Sequence, residues 1–435
     1  MSQRIMMISD HASPIAELGS TDCGGQNVYV AAVSSELAKR GYEVDVFTRR
    51  ESPDQPDIVQ WKKGVRIIHV PAGPPMPVRK EHLLPHMRKF TSVCSEYLRI
   101  HSYDLIHANF WLSGMVAMHL KRESHIPFVV TFHALGKVRR MHQAQQDGFP
   151  DARFDIEEEI VREADAIIAE CSQDSSDLQE YYSAQLGKIV TIPCGVDISI
   201  FKPNSKILSR QLLKLPVDRQ LLLYAGRLVP RKGLETVVRA LAILKRRTSL
   251  RPLFVIVGGE RSVATESATP EIGRLKVIAE KEGVIEQLKF IGRRGSAELH
   301  HFYCASDVFV STPWYEPFGI APLEAMASGT PVIGSAVGGI KYTVKAGETG
   351  ELVPPRNPLR LAVAISKLLQ SPQLRKEYSI AALERVRTLF TWSRVVDDLA
   401  LLYENVAPIP RISHGALMSV MNLLQGTHSS GDRGF

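Results

Sequence analysis

The sequence predicts an α/β fold of two similar domains, each built on a mostly parallel sheet, facing each other across a cleft. Short apolar runs alternate with amphipathic helical stretches along nearly the whole chain: RIMMIS, EVDVFT, GVRIIHV, DLIHA and PFVVTFH, then LLLYAGR, PLFVIVGG, LKFIGR and DVFVST. Parallel strands joined by crossover helices are what such alternation encodes. The pattern breaks into loop chemistry at DISIFKP (residues 197–203) and again at Leu215-Pro216, which divides it into two sets of similar size. A length of 435 residues suits two or three domains. Sheets of this kind bind ligands outside the carboxyl ends of their strands, so the expected site is the cleft between them.

Taken in order, the first strand covers residues 4–9 and a long loop follows it. Gly24-Gly25 then precede NVYVAAVSSELAKRG, where Val30, Val33 and Leu37 recur at helical spacing and Gly41 supplies a stop. With EVDVFT behind it, this is a βαβ unit whose glycines sit at the first strand-to-helix passage. The order is not G-x-G-x-x-G, and no acid stands where a dinucleotide ribose would need one. Paired glycines instead let a ligand approach the backbone closely. The first set continues through a helix at 86–99, a helix after Ser113, a helix about 156–163, and the strands ADAIIAEC and KIVTIPCG. The second set carries helices from Leu234, within 272–282 and near 297–304, then TPVIGS, TGELVPP and helices over 359–369 and 374–389. The expected division is an N-terminal Rossmann-like domain (1–205), a C-terminal Rossmann-like domain (206–390), a helix at 391–407, and a flexible tail from 408 with a short helix at 416–424.

Composition narrows the function classes. A hydrophobic content of 44% and a charged content of 23% are ordinary for a soluble enzyme. The formal charge of +7 comes from 53 basic against 46 acidic residues. That excess is mild and interspersed, with no basic-aromatic stripe, zinc finger or RNA-binding motif, so nucleic acid is not an expected partner. Anionic substrates explain it more simply, and membrane-surface attraction comes second. No apolar run approaches the ~20 residues that span a bilayer. The start, MSQRIMMISD, enters a strand without a signal-peptide core. Cys23, Cys94, Cys171, Cys194 and Cys304 are odd in number and lack C-x-x-C spacing, which fits a reducing cytoplasm better than a disulfide framework. No spacing specifies an oligomer.

Chemistry concentrates in STPWYEPFGIAPLEAMASGTPVIGSAVGG, residues 311–339. Glu316 falls in a loop and Glu324 on the second turn of a helix that Gly329 stops. The N–H groups of Phe318, Gly319 and Ile320 open that helix, a ready anion site. Carboxylates on either side suit hydroxyls, so anion plus polyol describes a nucleotide sugar. YAGRLVPRKG adds Arg227 at a strand end and Lys232 five residues on, a fork and a point charge suited to a diphosphate. Taken singly, each of these charges is as compatible with a solvated loop. Arg293 closes the strand LKFIGR on the same side, and His133 ends PFVVTFH facing the cleft. No Asp-x-Asp pair or His/Cys cluster with ligand spacing occurs, so neither a metal nor a cofactor is expected.

E-P-F-G-x-x-x-x-E, followed by A-x-A-x-G-x-P-V-I and G-G-I, together with G-R-x-x-x-x-K-G and TFHALGK, resembles the retaining glycosyltransferases grouped with sucrose-phosphate synthase. The resemblance spans about residues 4–405 and implies the GT-B fold, two Rossmann-like domains, with the last helix crossing back to the first. It implies Arg227 and Lys232 on the donor diphosphate, Glu316 on the sugar hydroxyls, Glu324 on the ribose, and His133 beside the scissile bond. Gly25 and Arg293 join the donor side. The segment HASPIAELGSTDCGGQNVYV is similar both to sucrose-phosphate synthases (D-x-G-G-Q) and to the inositol-phosphate N-acetylglucosaminyltransferase of mycothiol synthesis (GG-x-NVY). Both relatives hold an acceptor phosphate with cations. The acceptor candidates are Gly24, Gln26, Asn27, Arg79, Lys80, Lys137 and Arg153. Two positions depart from these patterns: Phe110 stands where the inositol-phosphate enzyme has tyrosine, and Asn27 is unlike sucrose-phosphate synthases. The implied activity is metal-independent, retaining transfer of a hexose from a nucleotide sugar, UDP-glucose the expected donor, to a small phosphorylated sugar or polyol. A peripheral transferase acting on a lipid or polysaccharide precursor, a sugar-nucleotide epimerase, and a binding protein without turnover stay open at this point.

Overall fold

The computed structural model describes residues 3–16, 24–144 and 147–408. Cys23, the expected helix at 416–424 and the expected flexible tail lie outside these residues, apart from Pro408.

The first sheet contains β1 (Arg4–Ile8), β2 (Glu43–Arg49), β3 (Ile58–Lys62), β4 (Val65–Val70), β5 (Leu105–Asn109), β6 (Phe128–Thr131), β7 (Ala166–Ala169) and β8 (Ile189–Thr191), in the order β3-β4-β2-β1-β5-β6-β7-β8. The second contains β9 (Leu221–Ala225), β10 (Leu253–Val257), β11 (Leu288–Gly292), β12 (Val308–Ser311), β13 (Val332–Ser335) and β14 (Gly350–Val353), in the order β11-β10-β9-β12-β13-β14. Every described pairing is parallel except β3 with β4. Strand order reverses between β1 and β5 in one sheet and between β9 and β12 in the other. Such switch points leave a crevice where neighbouring loops turn to opposite faces. The residues that follow these strands are therefore the ones aimed at a ligand.

The central strands are enclosed because helices cover both faces; β5, β9 and β10 are buried at every position, β5 with the polar His107 and Asn109 among them. The sequence pattern does not single out β3. Its side chains alternate between exposed and half-buried, and Ile58 is 46% exposed, so it reads as loop until the hairpin across Gly64 (φ +79°) pairs it with β4. The Ser- and Asp-rich helix Ser172–Tyr182 is likewise invisible to apolar periodicity, since Leu178 and Tyr182 are its only buried apolar residues.

The helix Trp392–Val406 follows the second domain in the chain but packs on the helix Gly25–Lys39 of the first. Val395, Val396, Leu399, Leu402 and Tyr403 make its buried stripe. Polar contacts add direction: Arg40 donates to Asp397 at 2.7 Å, the Tyr403 hydroxyl lies 2.6 Å from His107 Nδ1, and Gln3 donates to the Ala407 carbonyl at 2.7 Å. Burial and the nearby His133 depress the pKa of His107 to about 3, so this ring stays neutral and structural.

Candidate active site

The carboxyl edges of the two sheets enclose a cleft of about 1250 Å³. One wall is built on two strand ends. Beyond β9 the chain passes Gly226 to Arg227 and reaches Lys232. Beyond β12 it runs through Tyr315 and Glu316 to the helix Ile320–Ala327. Gly338 and Gly339 press directly on this second loop. A Cβ on Gly338 (φ +42°) would stand 1.9 Å from the Glu316 carbonyl oxygen, and one on Gly339 would stand 2.3 Å from Phe318 Cα. Only a chain without side chains there lets the loop seat. The backbone N–H groups of Phe318, Gly319 and Ile320 donate to no backbone carbonyl among the described residues.

Lys232 Nζ donates to Glu316 Oε2, with both side chains largely buried. Burial lowers the lysine's pKa to about 8 against the pull of Glu316. Burial raises that of Glu316, but Lys232, Arg231 and Arg227 outweigh it and hold the carboxyl below its ordinary range. At neutral pH the pair is therefore ionised, with three cations grouped around one carboxylate. Glu324 has no such company. Burial raises its pKa to about 7, only partly opposed by the Tyr303 hydroxyl that donates to it at 2.7 Å.

His133 follows β6 at φ +57°, a left-handed conformation that costs a non-glycine residue of order 1 kcal/mol. Its Nδ1 lies 2.8 Å from Glu170 Oε1 and its Nε2 lies 3.1 Å from Asn109 Oδ1. Phe110 (φ +83°) lines the cleft with its ring edge-on to His11.

The cleft gathers Arg227, Lys232, Arg293, Glu316, Phe318, Gly319, Ile320 and Glu324 on one side and Gly24, Gly25, Gln26, Asn27, Arg79, Lys80 and His133 on the other. Asn27 acts partly as a brace: its side chain accepts from Gly24 N–H at 2.9 Å and donates to the Ser13 carbonyl at 3.0 Å. Two acceptor candidates are not brought in. Arg153 is fully buried, its Nε bonded to Glu157 at 2.7 Å and its Nη2 to the Ala134 carbonyl, with Phe149 4.5 Å beneath its guanidinium. A cation so committed is unavailable to a phosphate in the cleft. Lys137 turns away to Glu158 and the Tyr181 carbonyl. Both sit on helix faces that sequence spacing alone could not orient. The same helix, Gly136–Gln143, instead presents Arg139 and Gln143, four residues apart, to the cleft. Arg231, Glu170 and Asn109 are further cleft or near-cleft residues that sequence reading missed. The run of cations RLVPRK was the available signal for Arg231; nothing local marks the other two.

The sequence matches the family descriptions "Glycosyl transferases group 1" over residues 205–385 and "Glycosyltransferase Family 4" over residues 23–200. The chain belongs to the group 1 glycosyltransferases. It is 34% identical over 413 residues to a D-inositol 3-phosphate glycosyltransferase of Corynebacterium diphtheriae, covering 94% of this chain and 96% of that one. Among solved structures, sucrose-phosphate synthase from Thermosynechococcus elongatus matches with a TM-score of 0.85 at 35% identity, over 93% and 98% of the two chains. Anabaena Alr3699/HepE, in complex with UDP-glucose, shares the fold with a TM-score of 0.71 at 19% identity, over 92% and 99%. This glycosyltransferase therefore has the GT-B fold, and none of its described helices is long and apolar enough to cross a membrane.

Its lysine yields a pH prediction. A nucleoside diphosphate bound at Lys232 would need it as a cation, and on that assignment UDP affinity should fall as pH rises through about 8, by at most about tenfold per pH unit. Stability of the free enzyme should move oppositely. Because the folded pKa lies below the ordinary 10.5, the unfolded chain binds more protons between about 8 and 10.5, and stability rises with pH there. Calorimetric UDP titrations on either side of pH 8 check the first statement; Lys232→Arg, charged throughout, should lose the decline.

Proposed function

We propose that this glycosyltransferase moves glucose from UDP-glucose to a hydroxyl of a small phosphorylated sugar or polyol, with retention of configuration and without a metal ion. The observation that carries the reading is the grouping of Arg227, Arg231 and Lys232 around Glu316 on the wall facing the Gly24–Gln26 helix start. The three cations take the charge that develops on the departing diphosphate, where a preorganised site does more than water can. Glu316 accepts from sugar hydroxyls, and Glu324, next to the helix start, accepts from the ribose. Double displacement would need a carboxylate free to attack the sugar. Glu316 is paired with Lys232 and Glu170 with His133, so same-face attack fits better, with the donor's own phosphate oxygen taking the acceptor proton.

On the facing wall, Arg79, Lys80 and Arg139 line the same cleft as the helix start, Arg139 with its Nε bonded to Asp147 at 2.6 Å, and Gln26 there is held to Ser9 Oγ and the Asn109 carbonyl at 3.3 Å each. Cations above a helix N-terminus favour an anionic acceptor. Phosphate is also what the two similar proteins have in common by name, one acting on inositol 3-phosphate and the other making sucrose phosphate. The test is UDP release from UDP-glucose with fructose 6-phosphate, inositol 3-phosphate or neither, followed by product mass. A phosphorylated glucoside formed with one acceptor supports the reading; slow hydrolysis indifferent to both would sink the acceptor half. Turnover should also persist in EDTA, and a complete loss restored by a divalent ion would sink the assignment of charge neutralisation to side chains.

A further inference from the structure

Glu170 directly follows β7 and is 3% exposed, a buried carboxylate that the transfer reaction as outlined does not use. Its Oε1 meets His133 Nδ1 at 2.8 Å and the Cys194 thiol, which donates, at 3.1 Å. Its own backbone N–H donates to Asp174 at 3.1 Å. Opposite, His133 Nε2 faces the Asn109 side chain, whose Nδ2 points to the Ile8 carbonyl at 3.4 Å. The edge-on ring of Tyr29, 4.9 Å away, closes one side of the imidazole. The ring is thus held at both nitrogens and along one edge, in a backbone conformation that disfavours its residue type. We propose that Glu170 is a positioning residue for His133: its carboxylate fixes a ring proton on Nδ1 and, with Asn109 Oδ1 at Nε2, holds the imidazole in one orientation on the cleft wall beside the transferred sugar. That the sugar lies beside this ring rests on the donor reading above; the proton on Nδ1 does not.

The physical case is a matter of donors and acceptors. An ionised carboxylate can only accept, so the nitrogen facing it must carry the proton. Burial works against ionisation of Glu170, but His133 and Cys194 outweigh it, and the carboxyl stays below its ordinary range. The other groups whose charge bears on this pair are Glu316 across the cleft, His107 on β5, Tyr29 on the first helix and Asp174 beyond Glu170. Of these, burial keeps Tyr29 protonated, and His107 stays neutral. Carboxylate–histidine pairs of this geometry set tautomer and orientation wherever a ring must present one nitrogen reproducibly.

The test compares wild type, Glu170→Gln and Glu170→Asp, the last keeping the charge on a shorter arm. Nitrogen chemical shifts of the histidine rings, with His133 assigned through a His133→Asn variant, read the tautomer directly and need no turnover. The expected result is a proton held on Nδ1 in wild type and Glu170→Asp, and a mixed or inverted tautomer in Glu170→Gln. With it should come a kcat roughly tenfold or more lower in Glu170→Gln, a changed pH profile, and unaltered UDP affinity, since UDP lacks the sugar. The aspartate should recover part of the loss. An unchanged His133 tautomer in Glu170→Gln would overturn the assignment. A changed protonation at Nδ1 with undiminished transfer would leave the placement of the proton but overturn the ring's position beside the sugar, and with it that part of the donor reading. Should the glutamine variant fail to fold, an Nε2-protonated ring with a bare Nδ1 in wild type would overturn the proposal by itself.

Discussion

Lys232→Ala is expected to weaken UDP binding and to cut transfer roughly 10²–10³-fold, the range found when one preorganised charge stabiliser is removed. Two effects add. The diphosphate loses a point charge in a buried site, where Coulombic terms are much larger than in water. Glu316 also loses its ion-pair partner while remaining buried, and an orphaned buried charge costs several kcal/mol. The carboxyl then takes up a proton more readily, because burial still raises its pKa and only Arg231 and Arg227 remain to oppose it. Part of the lost rate should therefore return as pH rises, a recovery that a simple loss of phosphate affinity would not show. Stopped-flow UDP binding and steady-state kinetics across pH check both halves. Unchanged UDP affinity would remove Lys232 from the diphosphate site.

Glu316→Gln should give the contrasting result. Transfer is expected to fall by a similar roughly 10²–10³-fold, because the sugar hydroxyls lose their anionic acceptor. UDP affinity should hold or rise. In the free enzyme Lys232 is engaged by Glu316, and a diphosphate must compete for it. The glutamine no longer competes electrostatically, although the lysine, still desolvated, then titrates lower than its present value of about 8. At neutral pH the first effect should prevail in the presence of the diphosphate's own negative charge. Isothermal titration with UDP, paired with rates on UDP-glucose, separates the two. Weaker UDP binding with intact turnover would mean that Glu316 shapes the diphosphate pocket rather than holding the sugar.

The donor half of the proposed site falls in short stretches of sequence. Glu316, Phe318, Gly319, Ile320 and Glu324 lie within nine consecutive residues, and Arg227 and Lys232 within six. A loop running from a strand end into a helix places such neighbours together by local geometry alone. The acceptor half is different. Arg79 and Lys80 are neighbours at one short turn, but Arg139 comes from a helix far along the chain, and nothing in a basic residue's neighbours says which way a helix face will turn. Arg153 shows the hazard, a cation that the fold buries against Glu157 beneath Phe110 and Phe149. Glu170 was silent for the opposite reason, since IIAEC reads as a plain buried strand end.

By itself, then, the amino-acid sequence determined the alternation of strands and helices, the division into two sheets and which charged and backbone groups meet on one wall of the cleft. These depend on periodicity and on groups a few residues apart, which short-range sterics and hydrogen bonding dictate. Tertiary structure alone decided the edge strand β3, the Lys232–Glu316 pair in a buried site, the exclusion of Lys137 and Arg153 from the cleft, and the capture of His133 between Glu170 and Asn109. Each of those depends on burial and on partners brought from distant parts of the chain. Desolvation strengthens a charge or leaves it costly only once the surrounding sheets have closed over it.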